Sequence, residues 1–389
     1  MATKVNTQFQ TSAIGNLIRK QREGVRMTVG QLAEQIGVSR NTVTNYEAGK
    51  TEPTASDLVR LTTALGCSLN DLLQPDANLS PPKFAFRAHS ALKTDSSVLV
   101  TARKFLNAYA EIEEITEARL CDRLQPFICD SDGPLNDREI EGIADDLRQS
   151  CGLHDSGPEN IASVLESLGV RCLFFDFDSK GLDGITVIHG EMMLTMLKNR
   201  KKNIERIIFS GAHELGHLVL HPQLFTSDEA EVDETRNFEK EANKFAGYFL
   251  VPSNELSRIW REDRLSRLPL FHAILLLKEV FHVSFLCLFY RLKDLVLTKI
   301  QYPAFVNDTK AHLGITGKAR LEDLEPEPLE SKALYRTTRF QSLVRSAFLQ
   351  DLIGISKVAE LLQIPVEEAQ EKTTEWLRPK HELVEKSSL

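Results

Sequence analysis

The sequence predicts a mainly α-helical protein with a small β-sheet, and three observations support that fold class. Apolar residues recur at helical spacing through most of the 389-residue chain. Short strand-like runs are confined to residues 170–197, and short glycine turns separate helices near the N-terminus. We expect an N-terminal five-helix domain over 1–75, a linker and helical connector over 76–157, a central α+β domain over 158–300 and a helical C-terminal region over 301–389.

The first part of the chain contains helices with recognisable ends. Thr28 and Ser39 are suited to capping helix N-termini, and Gly37 and Gly49 are suited to the left-handed turns that follow helices. Pro53 suits the first turn of a further helix. The predicted helices are Ala13–Arg22, Thr28–Ile36, Arg40–Ala48 and Thr54–Leu65. A helix, a short glycine turn and a polar second helix together form helix-turn-helix spacing.

The run GQLAEQIGVSRNTVTNYEAGKTEP resembles the Cro and phage-repressor class of DNA-binding domains, often called XRE-type, over about Ile14–Leu73. The resemblance implies a recognition helix that enters the major groove of double-stranded operator DNA. It implies base-edge contacts by Arg40, Asn41, Thr42 and Thr44, and phosphate contacts by Asn45 and Lys50. Val29 stands where many members have Gln, which removes one expected polar contact. The alternative is a five-helix protein-interaction domain that no longer binds DNA.

Charge predicts specific rather than general DNA binding. Residues 1–75 hold eight Lys or Arg and six Asp or Glu, a net charge of +2 in a chain of net charge −8, which leaves −10 for the remainder. An acidic chain binds nucleic acid poorly without sequence recognition, and recognition that relies on a few cations is sensitive to salt. We expect a homodimer, since two recognition helices would add their weak charges.

The most informative motif is H-E-x-x-H at His213–His217, inside the apolar segment Ile207–His221. Two histidines four residues apart share one helix face and can bind one metal ion, and Glu214 is placed to take a proton from a metal-bound water. The pentapeptide also occurs by chance, but the apolar flanks favour a helix buried behind a site. Gly216 costs about 1 kcal/mol of helix propensity relative to Ala, which indicates close packing or access there.

A catalytic zinc site needs a third protein ligand, and His221 is a poor candidate. It lies eight residues after His213, which on one helix is a rise of about 12 Å. We interpret it as a helix-end histidine that packs or interacts with the helix dipole.

The better candidate lies in the segment Glu234–Leu250, which has apolar residues at helical spacing. Glu239 and Asn243 share a face with small alanines that allow close packing. We predict Glu239 as the third ligand and Asn243 as a hydrogen-bond partner of a ligand. Glu241 points about 160° away from Glu239 around the helix. The alternative is that Glu239 is a solvated helix charge like Glu241.

The text FSGAHELGHLVLH followed by EKEANKFAGYFLVP resembles the ImmA/IrrE family of zinc metallopeptidases, over about Asn160–Leu297. The resemblance implies a zincin-like domain in which His213, His217 and Glu239 bind zinc and Glu214 is the general base. Gly211 departs from the family pattern, because an aliphatic residue is more usual there. That departure affects packing rather than the metal.

The remaining helices and strands are predicted from apolar periodicity and from the turn residues that separate them. Predicted strands are Val170–Phe177, Ile185–His189 and Glu191–Leu197, and their sheet edge would align a peptide by strand addition. Predicted helices are 97–125, Ile140–Ser150, Pro158–Leu168, Glu255–Trp260, Leu270–Phe281, Ser284–Leu297, Thr338–Leu349 and Ile355–Leu362. Gln301–Glu330 is expected to be irregular. The sequence of Ile355–Ala369 resembles that of the helix-turn-helix segment. Its acidic residues oppose DNA contact and favour a packing or dimerisation element.

Composition places the chain among cytoplasmic globular proteins, with no membrane partner expected. Hydrophobic residues make up 42% of the chain. The N-terminus lacks the apolar core of a signal peptide, and the most apolar stretch, Leu268–Leu277, is too short to span a bilayer. The six cysteines form no C-x-x-C pair, which is typical of free thiols in a reducing compartment rather than of a zinc–cysteine site.

These features predict a DNA-binding transcriptional regulator with a zinc-dependent endopeptidase domain that cleaves a protein partner such as a repressor. The alternative is a non-proteolytic regulator or antitoxin, whose zinc-fold domain senses a ligand or a partner such as a toxin. The intact set His213, Glu214, His217 and Glu239 favours the enzyme, because a sensor does not need the base.

Overall fold

The computed structural model describes residues 2–73, 83–84, 96–131, 133–176, 182–199, 203–225, 237–296, 300–315, 325–329 and 338–378. Within these ranges the chain forms 17 α-helices and one small sheet, so the predicted fold class is confirmed. Residues 74–82 and 85–95, which include the start of the predicted linker and connector, lie outside the described ranges.

The N-terminal domain consists of five helices, as predicted. They are α1 (Ala2–Gly24), α2 (Val29–Ile36), α3 (Arg40–Glu47), α4 (Ala55–Leu65) and α5 (Leu69–Leu73). The predicted caps are present: the Thr28 side chain accepts from the Gln31 amide, the Ser39 side chain accepts from the Thr42 amide, and Gly37 is left-handed with φ 71°. Pro53 precedes the fourth helix instead of opening it, because Thr54 caps that helix.

A buried ion pair fixes the recognition helix α3 against α1. Glu47, at the end of α3, is 4% exposed. It accepts hydrogen bonds from Arg22 Nε at 2.7 Å and from Arg22 Nη2 at 3.0 Å. Arg22 also donates to the Met27 carbonyl at 2.8 Å, at the turn before α2. The pair therefore ties both helices of the helix-turn-helix unit to the first helix.

A four-stranded sheet lies at the centre of the molecule. Its strands are β1 (Lys83–Phe84), β2 (Val170–Phe175), β3 (Gly184–His189) and β4 (Met192–Lys198), in the order β1-β3-β4-β2. Strands β3 and β4 form an antiparallel hairpin in which Gly190 is left-handed with φ 59°, whereas β2 pairs with β4 in parallel. Within the described residues, strand β1 pairs with Val187 and Ile188 of β3.

Two hydrophobic cores lie on the two sides of this sheet. The helices that follow the N-terminal domain are α6 (Ser96–Ile115), α7 (Asp137–Ser150), α8 (Ile161–Ser167), α9 (Ile204–Leu220), α10 (Phe238–Leu250), α11 (Ser253–Glu262), α12 (Leu270–Phe281), α13 (Phe285–Leu295), α14 (Tyr302–His312), α15 (Arg339–Leu349), α16 (Ile355–Leu362) and α17 (Val366–Leu377). Helices α7–α14 share one core with one side of the sheet. The N-terminal domain, α6 and the C-terminal helices α15–α17 share the other core with the opposite side.

The helix α6 links the N-terminal domain to the sheet. Its Asn107 donates to the Gly66 carbonyl at 3.2 Å, at the end of α4, and its Arg103 lies 3.7 Å from Asp71 of α5. The helix is shorter than predicted, because it ends at Ile115 and Glu117 adopts a left-handed φ of 53°. Packing of α16 against this helix gives the Ile355–Ala369 segment a packing role.

The prediction that Gln301–Glu330 is irregular is wrong for its first part, which forms α14. Phe305 anchors this helix to the core, since it is 2% exposed and its ring stacks on Phe289 with centroids 3.9 Å apart. The buried residues of α14 are Phe305 and Thr309, so the helix shows little of the apolar periodicity that predicts helices from sequence.

Across the described ranges, no single helix has the length and apolarity needed to cross a bilayer. Helices α12 and α13 pass that test only as a pair, and they meet at a bend of 106°.

Candidate metal centre and recognition helix

Close packing between α9 and α10 builds the site. A Cβ placed on Gly216 of α9 would lie 3.0 Å from Phe245 and 3.3 Å from the backbone of Ala242, both on α10. A Cβ on Gly211 would lie 2.5 Å from Ile161 of α8. The two glycines therefore let α9 approach its neighbours on both sides. This contact explains the departure at Gly211, where a larger residue would need α8 to move.

The structure brings the three predicted ligands together. Nε2 of His213 lies 3.1 Å from Nε2 of His217, and the carboxylate oxygens of Glu239 lie 3.5 Å from each of these nitrogens. One donor atom from each residue falls within 4.8 Å of the others. The His217 side chain is fully buried, whereas the Glu239 side chain is 45% exposed. The cluster therefore has a closed side at His217 and an open side at Glu239.

The hydrogen bonds of His213 suit a metal ligand. Its Nδ1 lies 3.0 Å from Oδ1 of Asn243, and an amide oxygen only accepts, so Nδ1 donates. In a neutral imidazole this leaves Nε2 with a lone pair directed at His217. Asn243 therefore contacts His213, which the sequence predicts as a ligand.

The donor set fits a zinc ion. Two imidazole nitrogens and one carboxylate form the His₂Glu set of catalytic zinc sites, which leave a fourth position open. Two nitrogens on one tetrahedral zinc would be separated by about 3.3 Å, close to the spacing observed between His213 and His217. The pKa of Glu239 is lowered: burial acts to raise it, but the two histidines beside the carboxylate outweigh burial. Glu239 is therefore a carboxylate at neutral pH, as a ligand must be.

Glu214 lies on the sheet side of α9 and is 2% exposed. The Thr186 hydroxyl of β3 donates to its Oε2 at 2.7 Å, and Thr186 lies 2.9 Å from the Thr195 hydroxyl of β4. Gly184 faces the same carboxylate, since a Cβ there would lie 2.9 Å from Oε1. Strand β3 therefore sets the position of the predicted base. Sequence reasoning missed both threonines, and their only signal is a polar residue in each of two apolar strands.

The interpretation of Glu241 as a solvated charge is wrong. Glu241 is 6% exposed, and its Oε2 lies 3.2 Å from Nε2 of His221. His221 is itself fully buried and contacts His217, with 3.0 Å between their Nδ1 atoms. The neighbour that Glu241 meets is His221 at the end of α9, and not water. His221 is outside the ligand cluster, yet it touches a predicted ligand.

A cleft of about 850 Å³ opens beside Glu239 and Asn243. Its walls combine aromatic rings with charges of both signs, among them Phe209, Tyr248, Tyr290, Arg206 and Asp183. Arg291 stiffens one wall, because it donates to the Val251 carbonyl at 3.0 Å and lies over the Tyr248 ring at 4.3 Å. The cleft therefore offers both apolar and charged contacts to a bound peptide or small ligand.

Most of the predicted DNA-contact residues face solvent, and all of them lie on α3 except Lys50, which follows it. Arg40, Asn41, Thr44 and Lys50 are exposed, and Thr42 and Asn45 are half-buried. Thr44 donates its hydroxyl to the Arg40 carbonyl at 2.9 Å, and Thr42 shares a hydrogen bond with Ser39. The Arg40 guanidinium lies over Gly30 of α2, where an added Cβ would fall 2.8 Å from Nε. Arg40 therefore lies between the two helices of the motif.

Family models match the two segments of the chain that contain these residues. The helix-turn-helix family model matches residues 18–72, and a peptidase family model described as an IrrE N-terminal-like domain matches residues 165–293. Two uncharacterised HTH-type transcriptional regulators, from the CDC 1551 and H37Rv strains of Mycobacterium tuberculosis, are each 31% identical over 121 residues. That match covers 30% of this chain and 86% of each relative.

This chain belongs to the family of HTH-type transcriptional regulators. The cryptic phage CTXphi transcriptional repressor RstR of Vibrio cholerae is also similar, at 34% identity over 55 residues, which is 14% of this chain and 49% of the repressor. The regulator additionally carries the IrrE-like domain, so both resemblances seen in its sequence are confirmed.

Proposed function

We propose that this regulator is also a zinc-dependent endopeptidase, which acts in the cytoplasm and cleaves a protein partner such as a repressor. One observation carries the proposal: Nε2 of His213 and His217 and the Glu239 carboxylate converge next to a buried glutamate that β3 holds in place. A sensor that only binds metal has no need of a buried, oriented carboxylate at this position.

Each residue has a defined task in this proposal. His213, His217 and Glu239 would hold zinc, which when bound supplies a Lewis acid for the scissile carbonyl and lowers the pKa of water. Glu214 would take a proton from the attacking water and deliver it to the leaving amine. The hydrogen bond from Thr186 to Glu214 orients that carboxylate. The cleft beside Glu239 would receive the substrate chain.

We further propose that the N-terminal domain binds operator DNA as a homodimer. Helix α3 would enter the major groove, with Asn41 and Thr44 toward base edges and Lys50 toward phosphate. The position of Arg40 over Gly30, next to the N-terminus of α2, allows it to meet either a base edge or the adjacent phosphate.

The packing of the N-terminal domain supports a second candidate function. The N-terminal domain shares a hydrophobic core with α6 and with the sheet that carries Thr186. Binding at the metal site or in the cleft would therefore shift the N-terminal DNA-binding domains without any cleavage. The protein would then be a non-proteolytic regulator or antitoxin that senses a ligand or a toxin.

The substitution Glu214→Gln separates the two functions. It keeps the size of the side chain and removes the base, while zinc ligands and DNA-contacting residues stay intact. In a reporter strain driven by the bound promoter, we expect the mutant to bind DNA and to lose the regulated response. An unchanged response in a mutant that retains zinc would favour the sensor.

A further inference from the structure

We propose that Glu241 and His221 are positioning residues, which hold His217 in the tautomer that directs its Nε2 lone pair at the metal site. This inference rests on the proposed zinc site and adds two residues to it. Neither residue belongs to the H-E-x-x-H motif or to the ligand cluster.

The three side chains form a continuous buried chain of hydrogen bonds. Glu241 Oε2 lies 3.2 Å from His221 Nε2, and His221 Nδ1 lies 3.0 Å from His217 Nδ1. His217 and His221 are fully buried, and Glu241 is 6% exposed. The chain starts on α10, crosses to the residue that ends α9, and reaches a predicted ligand one helical turn earlier.

For a neutral His221, these contacts fix where the protons lie along this chain. A carboxylate only accepts, so the Glu241 contact requires a proton on Nε2 of His221. Neutral His221 then has a lone pair on Nδ1, and His217 must donate to it from its own Nδ1. Nε2 of His217 is left with the lone pair, 3.1 Å from Nε2 of His213. The tautomer that binds a metal is therefore imposed from outside the cluster.

Packing isolates this chain from water. The Phe238 ring meets His221 edge-on, with centroids 5.0 Å apart, at the start of α10. The His217 and His221 rings are 5.1 Å apart. Because the chain is buried, water does not compete for its hydrogen bonds, and these bonds hold the two imidazoles in one orientation.

The two histidine ligands are thus held in different ways. His213, whose side chain is 12% exposed, has a neutral amide partner in Asn243. His217, on the closed side, has an imidazole that is itself bonded to a carboxylate. The Glu241 carboxylate, acting through His221, raises the basicity of His217. Loss of a hydrogen-bond partner behind a metal ligand typically costs 10–100-fold in metal affinity. We expect the Glu241–His221 pair to contribute on this scale.

Zinc affinity of the full-length chain tests the inference without any substrate. The metal-free protein is titrated with zinc against a chelating dye, with His221→Phe as the main variant because it keeps a ring of similar volume and removes both hydrogen bonds. We expect affinity to fall 10–100-fold in His221→Phe and in Glu241→Ala. His221→Gln, which has both a donor and an acceptor, should recover part of the loss.

Two controls make the result specific. Glu255→Gln changes a glutamate of α11 that pairs with Arg258 at the surface, and it should leave affinity unchanged. Glu239→Ala removes a proposed ligand and should lose most of the zinc. Thermal unfolding of each metal-free variant identifies any that fail to fold.

The tautomer of His217 can also be measured directly in the wild-type protein, so the test does not depend on a stable variant. Long-range proton–nitrogen correlation spectra of ¹⁵N-histidine-labelled wild-type protein should show His217 protonated at Nδ1 before zinc is added. Protonation at Nε2, or equal zinc affinity in wild type and folded His221→Phe, would overturn the inference. Failure of the wild-type chain to bind zinc at all would instead overturn the proposed zinc site.

Discussion

The Thr186 hydroxyl of β3 donates to the Glu214 carboxylate of α9 at 2.7 Å, and both residues are almost fully buried. The sheet therefore orients the proposed base of a helix-borne motif. Thr195 lies behind Thr186 at 2.9 Å, so the two hydroxyls form a short chain that ends on the carboxylate.

Replacing Thr186 with Val should reduce turnover while zinc stays bound. The substitution keeps the branched shape and removes the donor, so Glu214 loses its fixed orientation. A misplaced catalytic group can cost on the order of 10²-fold in rate, and we expect a loss of that order. Zinc content, measured by atomic spectrometry, should match the wild type. Equal turnover in Thr186→Val would show that the sheet does not position the base.

Replacement of Gly211 in α9 and of Gly142 in α7 by alanine should change the free energy of unfolding in opposite directions. A Cβ on Gly211 would lie 2.5 Å from Ile161, and overpacking costs about 1–3 kcal/mol. Gly142 has nothing within 4 Å of its added Cβ, and Gly→Ala in an open helical position gains about 0.5–1 kcal/mol. Urea unfolding should therefore show Gly211→Ala destabilised and Gly142→Ala stabilised. Two changes of the same sign would contradict this packing.

Much of the fold and part of the site could be predicted from the sequence, because local chemistry fixes them. The caps at Thr28 and Ser39 act through hydrogen bonds within one turn, so their residue types suffice. The convergence of His213, His217 and Glu239 follows from helical spacing and small residues at the contact. The environment of Glu241 could not be predicted, because it depends on where the end of α9 meets α10. Thr186 was missed for the same reason, since pairing between strands decides which residue faces Glu214.

Stability should depend on Glu166, which lies where α8 meets α6. Burial raises the pKa of Glu166 to about 7, although Arg339 and the Tyr109 hydroxyl act against burial. A carboxyl whose pKa is higher in the folded state than its ordinary value of 4.5 keeps its proton longer when folded. Its contribution to stability is therefore complete below about pH 4.5 and falls as the pH rises toward 7.

The variant Glu166→Gln isolates that effect, because an amide does not titrate. Between pH 5 and pH 7.5, wild type should lose roughly 1–3 kcal/mol of unfolding free energy relative to Glu166→Gln. Urea unfolding at the two pH values gives the comparison. Parallel pH dependence in the two proteins would rule out this role for Glu166.

Substitutions in α3 and at Lys50, which follows it, should affect DNA binding in different ways. Asn41→Ala should erode sequence preference by roughly 1–3 kcal/mol, whereas Lys50→Ala should weaken binding to all DNA about equally. Arg40→Ala reports on the arrangement over Gly30: lost sequence preference indicates a base contact, and a uniform loss indicates a phosphate contact. Fluorescence anisotropy with operator and scrambled duplexes at several salt concentrations measures both. Binding without salt dependence would contradict the proposed interface.

The most direct test of the endopeptidase is a comparison of newly formed protein N-termini in cells that express wild type or Glu214→Gln. Both proteins should carry about one zinc per chain and bind the same operator. We predict that wild-type cells contain at least one cleaved partner whose new N-terminus is absent from Glu214→Gln cells, under the conditions that trigger regulation. Identical sets of N-termini, together with intact regulation in the mutant, would contradict proteolysis and leave the non-proteolytic regulator as the function.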